Sequence, residues 1–240
     1  MSKYNPLLFI PGLASNHALW AHQVENLSDT VDCWVAPMPM YDELRPIAKD
    51  ILRDAPERFG LVGSSMGGYL CLEILRMAPE RVDRLALIGT TADAELPATT
   101  ERRWHMIRKA EQRGFMTMWR EFIPRFLHPS MLDDRELINS LMKQAFEVGE
   151  FSVRQHQIAM MKRSGYLDML NSIDCPTTVL VGEDDILTPV EDHEKIARAV
   201  PGAQLVVVPN SGHLLSMERP AETTRILRQW LEDKPIRIAA

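Results

Sequence analysis

Six short apolar runs, most of them separated by amphipathic stretches, predict an α/β fold built on a doubly wound, mostly parallel sheet with helices on both faces. One long break in that alternation, from about residue 93 to 170, predicts an all-helical insertion. A glycine-rich corner, Gly63-Ser64-Ser65-Met66-Gly67-Gly68, marks where one strand turns sharply into a helix.

The strand runs cover residues 7–10, 31–36, 59–62, 84–89, 177–182 and 204–208. They are continuous rather than alternating, as in strands buried on both faces. Between them apolar residues recur at helical spacing: Val24 and Leu27, then Ile47, Ile51 and Leu52, then Leu70, Ile74 and Leu75. Pro79 and Pro201 each follow a helical pattern and precede a strand. Lacking a backbone N–H, proline ends a helix there. The break holds four helical patterns, at about 100–113, 115–126, 133–148 and 151–161. Eight of the fourteen methionines fall in it, with Trp104, Trp119 and several phenylalanines. Methionine side chains adapt to varied apolar partners. The stretch therefore reads as a lid, 93–170, over a core formed by 1–92 and 171–240, although the same side chains also serve the lid's own packing.

With 45% hydrophobic and 25% charged residues in 240, the chain has the composition of a globular protein with a large core. A net charge of −6 argues against nucleic acid as a partner, since neutralising phosphates needs excess Lys and Arg. There is no apolar run of about eighteen residues to cross a membrane. Pro11 and Gly12 interrupt the first apolar run, which reads as a strand rather than a signal peptide. The three cysteines, Cys33, Cys71 and Cys175, are widely spaced and show no CxxC or metal-ligand pattern. They read as buried thiols in a reducing cytoplasm.

The corner at 63–68 carries the first chemical signal. G-x-S-x-G between a strand and a helix lifts the central hydroxyl, here Ser65, clear at the strand's carboxyl end. Small residues at 63 and 67 let the two elements approach without Cβ clashes. A serine hydroxyl is a poor nucleophile until a base takes its proton. Of seven histidines, His213 lies between the last strand and the last helical run, at the same sheet edge as Ser65, whereas His17 precedes the serine. The base in turn needs an orienting carboxylate. Asp185 follows the strand at 177–182, with Glu183, Asp184 and, after the strand at 84–89, Asp93 as rivals. The chain order Ser65, Asp185, His213 differs from the chymotrypsin and subtilisin orders. Two backbone amides are then needed for the developing oxyanion. Met66 N–H stands at a helix start, and Leu13 N–H follows Gly12, whose freedom of backbone angle is expected to turn it inward.

On these residues the sequence resembles the α/β-hydrolase superfamily over nearly its whole length. Residues 8–20 are similar to the oxyanion segment, 61–82 to the nucleophile turn and helix, and 179–189 and 211–220 to the acid and histidine segments. The likeness is greatest to the lidded branch that includes 3-oxoadipate enol-lactonases and small bacterial carboxylesterases. It implies Ser65 as nucleophile, His213 as base, Asp185 as acid, and the Leu13 and Met66 amides as oxyanion hole. There are departures. Pro11-Gly12 replaces the usual His-Gly, Ser64 stands where histidine is common, residues 37–42 lack the family's glycine-rich run, and the N-terminal hairpin is expected to be missing.

The expected reaction is hydrolysis of a carboxylic ester, thioester or lactone of a small, largely apolar molecule, by a monomer or homodimer. Serine at position 65 argues against the dehalogenase and epoxide hydrolase branches, which use a carboxylate there. Met38, with Met40 near the mouth, and Trp104, Trp119 and Met160 from the lid are expected to line the substrate pocket. Arg102, Arg103 and Arg108 read either as a solvated helix face or as a greeting for an anionic substrate or acidic carrier. No cofactor or metal is implied, because every step is assigned to protein groups. Two alternatives share the fold: a C–C bond hydrolase of ring-cleavage products, and a non-catalytic small-ligand receptor.

Overall fold

A computed structural model describes residues 3–234 and 236 of the chain. Six strands, β1 (Leu7–Ile10), β2 (Cys33–Val35), β3 (Phe59–Ser64), β4 (Val82–Ile88), β5 (Thr177–Gly182) and β6 (Gln204–Val208), form one sheet in the order β2-β1-β3-β4-β5-β6. Every pairing is parallel. Parallel neighbours need crossover connections, which helices supply on both faces.

Alternate side chains of each strand serve opposite cores. Leu8, Ile10, Leu61, Leu85 and Leu87 pack with α2 (Leu44–Asp54), α3 (Met66–Met77) and α8 (Val190–Ala199). Leu7, Phe9, Val62, Ala86 and Ile88 pack on the other side with α1 (Ala21–Leu27) and α10 (Pro220–Leu231). A four-residue helix, α9 (Leu215–Glu218), precedes α10.

The expected elements stand, with shifted ends. β4 starts two residues early, and the backbone leaves it at Gly89 with φ +54°. Between β4 and β5 lie four α-helices and no strand: α4 (Pro97–Arg113), α5 (Phe115–Phe122), α6 (Arg135–Val148) and α7 (Glu150–Met161). The sequence pattern carries α5 to residue 126, but the α-helix stops at Phe122 and a 3-10 turn containing Pro124 follows. Proline supplies no amide for a further helical bond. α6 starts at Arg135 because the Asp134 side chain accepts from Leu137 N at 3.0 Å and caps the helix. Most buried residues of this segment, among them Met118, Trp119, Leu141 and Val153, join the core on the α1/α10 face. Among the described residues no helix is long and apolar enough to cross a membrane.

The chain runs from β1 outward to β2 and then returns to place β3 on β1's other side. Such a reversal leaves a crevice at the carboxyl ends of the two central strands. Residues 11–14 and Ser65 leave β1 and β3 at that edge.

Candidate active site

Ser65 occupies the corner between β3 and α3 with φ 55° and ψ −116°. That backbone is costly for a residue with a Cβ, on the order of 1–3 kcal/mol, and persists only where neighbours enforce it. Ser65 N donates to Ile88 O at 2.9 Å, and its carbonyl accepts from Gly68 N and from Thr90 Oγ1, each at 2.9 Å. The adjoining glycines are there for space. A Cβ at Gly63 would lie 2.4 Å from Gly67 O, one at Gly67 2.1 Å from Ile10 O, and one at Gly68 2.5 Å from Thr90 Oγ1. All three distances are below any real contact, so the corner closes only around hydrogen atoms.

His213 and Asp185 meet over the end of β4. His213 Nδ1 lies 2.8 Å from Asp185 Oδ2, and both side chains are buried. Asp185 Oδ1 accepts from Leu187 N at 2.8 Å and Thr188 N at 3.0 Å, while Oδ2 also accepts from Thr188 Oγ1 at 2.8 Å. Burial alone would raise the carboxyl's pKa. The charge and hydrogen bond of His213 and the Thr188 donors outweigh it and hold the group below the ordinary carboxylate value. With Asp185 ionised, the hydrogen on Nδ1 points at the carboxylate, which leaves Nε2 as the ring's acceptor, and the ring lines the cavity. Close loop packing makes this possible. A Cβ on Gly89 would come within 3.4 Å of His213 Nδ1, and one on Gly182 within 2.2 Å of Gly212 O.

The rival acids are engaged elsewhere. Asp93 pairs with Lys195 at 2.9 Å, Asp184 Oδ2 lies 3.5 Å from His128 Nε2, and Glu183 is exposed. His17 lines a different cavity, beside Ser15 and Met38.

Gly12 packs against the serine corner, where an added Cβ would lie 3.4 Å from Ser65 Cβ. Its role is proximity rather than unusual backbone angle: the left-handed residue of this loop is Ala14, with φ 56°. Leu13 thereby borders the same cavity as Ser65, and Met66 opens α3, where the first amides have no partner within the helix.

Ser65, His213 and Thr188 line one cavity of about 630 Å³, with Leu13, Tyr69, Phe126 and Leu187 around them and Met106 and Met160 from α4 and α7. Met160 borders this cavity, whereas Met38, Trp104 and Trp119, expected beside it in a substrate pocket, do not. Met38 and Met40 border the separate cavity near His17, because the segment after β2 runs toward α6 and α7. Trp104 falls on the outward face of α4 and is 39% exposed. Trp119 is buried in the α5 core, where its ring packs on Phe126 at 5.3 Å, and Phe126 in turn packs on His213 at 6.1 Å. It supports the wall without forming it.

Several supporting residues have no sequence signature. Glu218, 3% exposed, accepts from Gly212 N (3.2 Å) and Leu214 N (3.0 Å), the amides on either side of His213, and from His128 N (2.7 Å). Burial raises its pKa despite these donors. His193 is fully buried. Its Nδ1 donates to Pro189 O at 3.1 Å and its Nε2 accepts from Thr90 N at 2.9 Å, so it steadies the threonine that holds the Ser65 carbonyl. Burial lowers its pKa and favours this neutral form. Thr188, three residues after Asp185, has the spacing of a side chain that folds back on a turn-forming aspartate. Among the described residues no group of three His, Cys, Asp or Glu side chains is placed to hold a metal ion.

Residues 7–226 match the model of the alpha/beta hydrolase family. The chain is 27% identical over 177 residues to RutD of Klebsiella pneumoniae subsp. pneumoniae, a protein named "putative carbamate hydrolase", in a match covering 72% of this chain and 66%, just under two thirds, of that relative. It is 23% identical over 235 residues to the pimeloyl-[acyl-carrier protein] methyl ester esterase of Nitrosomonas europaea, covering 90% and 91% of the two chains. Among solved structures, a thermophilic esterase from Thermogutta terrifontis superposes with a TM-score of 0.86 at 27% identity, over 97% of this chain and 91% of that one. The enol-lactonase of Burkholderia xenovorans shares the fold, with a TM-score of 0.86 at 19% identity over 96% and 92%.

Proposed function

The chain belongs to the alpha/beta hydrolase family, and from that premise we propose that it is a serine hydrolase cleaving a carboxylic ester, thioester or lactone of a small, largely apolar substrate. One observation carries the reading. His213, held by Asp185 at 2.8 Å, lines the same cavity as the strained serine. The esterase and methyl ester esterase relatives support ester chemistry.

In this reaction Ser65 Oγ attacks the acyl carbonyl carbon while His213 Nε2 takes its proton. Asp185 stays ionised and stabilises the imidazolium through Nδ1–H. The Leu13 and Met66 amides receive the oxyanion. Collapse of the tetrahedral species breaks the bond to the leaving oxygen or sulfur, which takes the proton from His213. Water then attacks the acyl-enzyme, gives a proton to His213, and the released Ser65 oxygen recovers it. The helical segment between β4 and β5 acts as a lid, placing Met106 and Met160 against the substrate's apolar part.

The test is direct. Ser65→Ala lowers turnover of a short p-nitrophenyl ester on the order of 10⁶-fold and abolishes labelling by a fluorophosphonate. Labelling that survives the substitution removes Ser65 from the mechanism.

A further inference from the structure

The lid carries an unbalanced set of guanidinium groups. Among the described residues, the arginines with neither an ion pair nor a hydrogen bond are Arg108, Arg120, Arg125 and Arg135, and all four lie between β4 and β5. Two of them, Arg108 on α4 and Arg125 in the turn after α5, line the cavity above Ser65. Arg102 lines it as well, bonded to the Thr99 hydroxyl at 2.8 Å and to no carboxylate. The carboxylates on the wall are Glu101 and Glu121, and Glu121 is already taken by Lys109 and by Arg113 at 3.1 Å. The remaining wall cation of this helix, Arg103, is committed to the buried Glu95 at 2.6 Å.

The cavity is therefore graded. Near Ser65 its wall is apolar, with Leu13, Tyr69 and Leu187, while α4 and the turn after α5 bring guanidiniums that nothing in the fold neutralises. In a chain of net charge −6, three such groups converging from two separate segments is a local excess against the overall balance. An isolated guanidinium in water needs no partner, but planar donor forks gathered on one cavity wall match a carboxylate or phosphate.

We infer that this part of the cavity binds the anionic end of the substrate, so that the preferred substrate is an ester, thioester or lactone with an apolar stretch ending in a carboxylate or phosphate. The inference rests on the hydrolase reading above and names the substrate class for that site. Arg102, Arg108 and Arg125 supply the binding charge, and none of them enters the bond-breaking steps.

The experiment compares p-nitrophenyl octanoate with the mono-p-nitrophenyl ester of octanedioic acid, two substrates of equal length that differ in a terminal carboxylate. Wild-type enzyme at low salt shows a kcat/KM about tenfold higher for the charged ester, the effect of one charge-assisted contact. The ratio falls as salt screens the contact. It falls toward one in Arg108→Gln/Arg125→Gln, whereas Arg135→Gln, an unpaired arginine of α6 outside this cavity, leaves it as in wild type. An ester of the same length ending in phosphate separates the two sources of charge, a larger gain there assigning the site to a phosphate. A ratio at or below one in wild type, or one that survives the double substitution, overturns the anion site while the neutral ester's turnover leaves the hydrolase reading standing. Absence of turnover of every ester above the Ser65→Ala background overturns both.

Discussion

At the sheet rim both oxygens of Asp185 are fully engaged, Oδ1 by two amides and Oδ2 by Thr188 and His213. In the helical segment above it, Arg108 and Arg125 have no partner among the described residues, and Phe146 and Phe151 are 73% and 62% exposed. The two regions face one cavity and treat charge in opposite ways. A buried charge must be met by fixed donors or its desolvation destabilises the fold. A charge at a wet wall carries no such penalty and is left for whatever enters. The rim thus fixes geometry, and the helical segment leaves its charges unmet.

The sharpest way to break this contrast is at Asp185. Asp185→Asn removes the ionised acceptor and lowers kcat on the octanoate ester about 10⁴-fold, as expected when the base loses its orienting charge. Asp93→Asn loses a half-exposed Lys195 contact worth at most about 1 kcal/mol and leaves kcat close to wild type. Equal losses at the two positions would mean that the rim does not depend on the 2.8 Å contact.

A smaller effect is expected at Glu218. Glu218→Ala strands three amides, two of them flanking His213, and costs roughly 3 kcal/mol or more. For a chain of this size that lowers Tm by about 6–12 °C, measured by calorimetry. Glu218→Gln keeps an acceptor oxygen and loses less. An unchanged Tm in the alanine variant would show that the rim tolerates unmet donors as the helical segment tolerates unmet charges.

The mildest effect is one of pH. Burial holds His156 and His193 below the ordinary histidine value. The unfolded chain takes up these protons near about pH 6.5, where the folded chain refuses them. The unfolded state then binds more protons, so stability is complete above that pH and declines as pH falls toward the folded values. Tm therefore drops between about pH 7.5 and 6. His156→Gln, which keeps a donor for Pro39 O, reduces the drop. An identical slope in that variant would exclude His156 as a contributor.

The elements that place Ser65, Asp185 and His213 were readable in the sequence because each follows a strand of the sheet, fully buried for β3 and β5 and partly buried for the edge strand β6. Such strands announce themselves as continuous apolar runs, and the glycines at 63 and 67 mark a corner with no room for a Cβ. The family resemblance read from that corner agrees with the match over residues 7–226. Glu218 and His193 were not readable. A glutamate or histidine on a helical stretch looks solvated until the fold brings amides from residues 128, 212 and 214, or from residue 90, against it. The segment between β4 and β5 was readable as helices but not as a lining. Trp104 and Met106 are two residues apart on one helix, and which of them turns toward Ser65 depends on how α4 docks.

The two backbone carbonyls that crowd Gly182 have a consequence for how this molecule can diversify. Any side chain at 182 would wedge the loop at 211–213 away from the loop at 183–188 and part the imidazole from its acid. Heritable change that alters what the protein accepts is channelled toward the helices overhead, where residues can be exchanged without disturbing that junction.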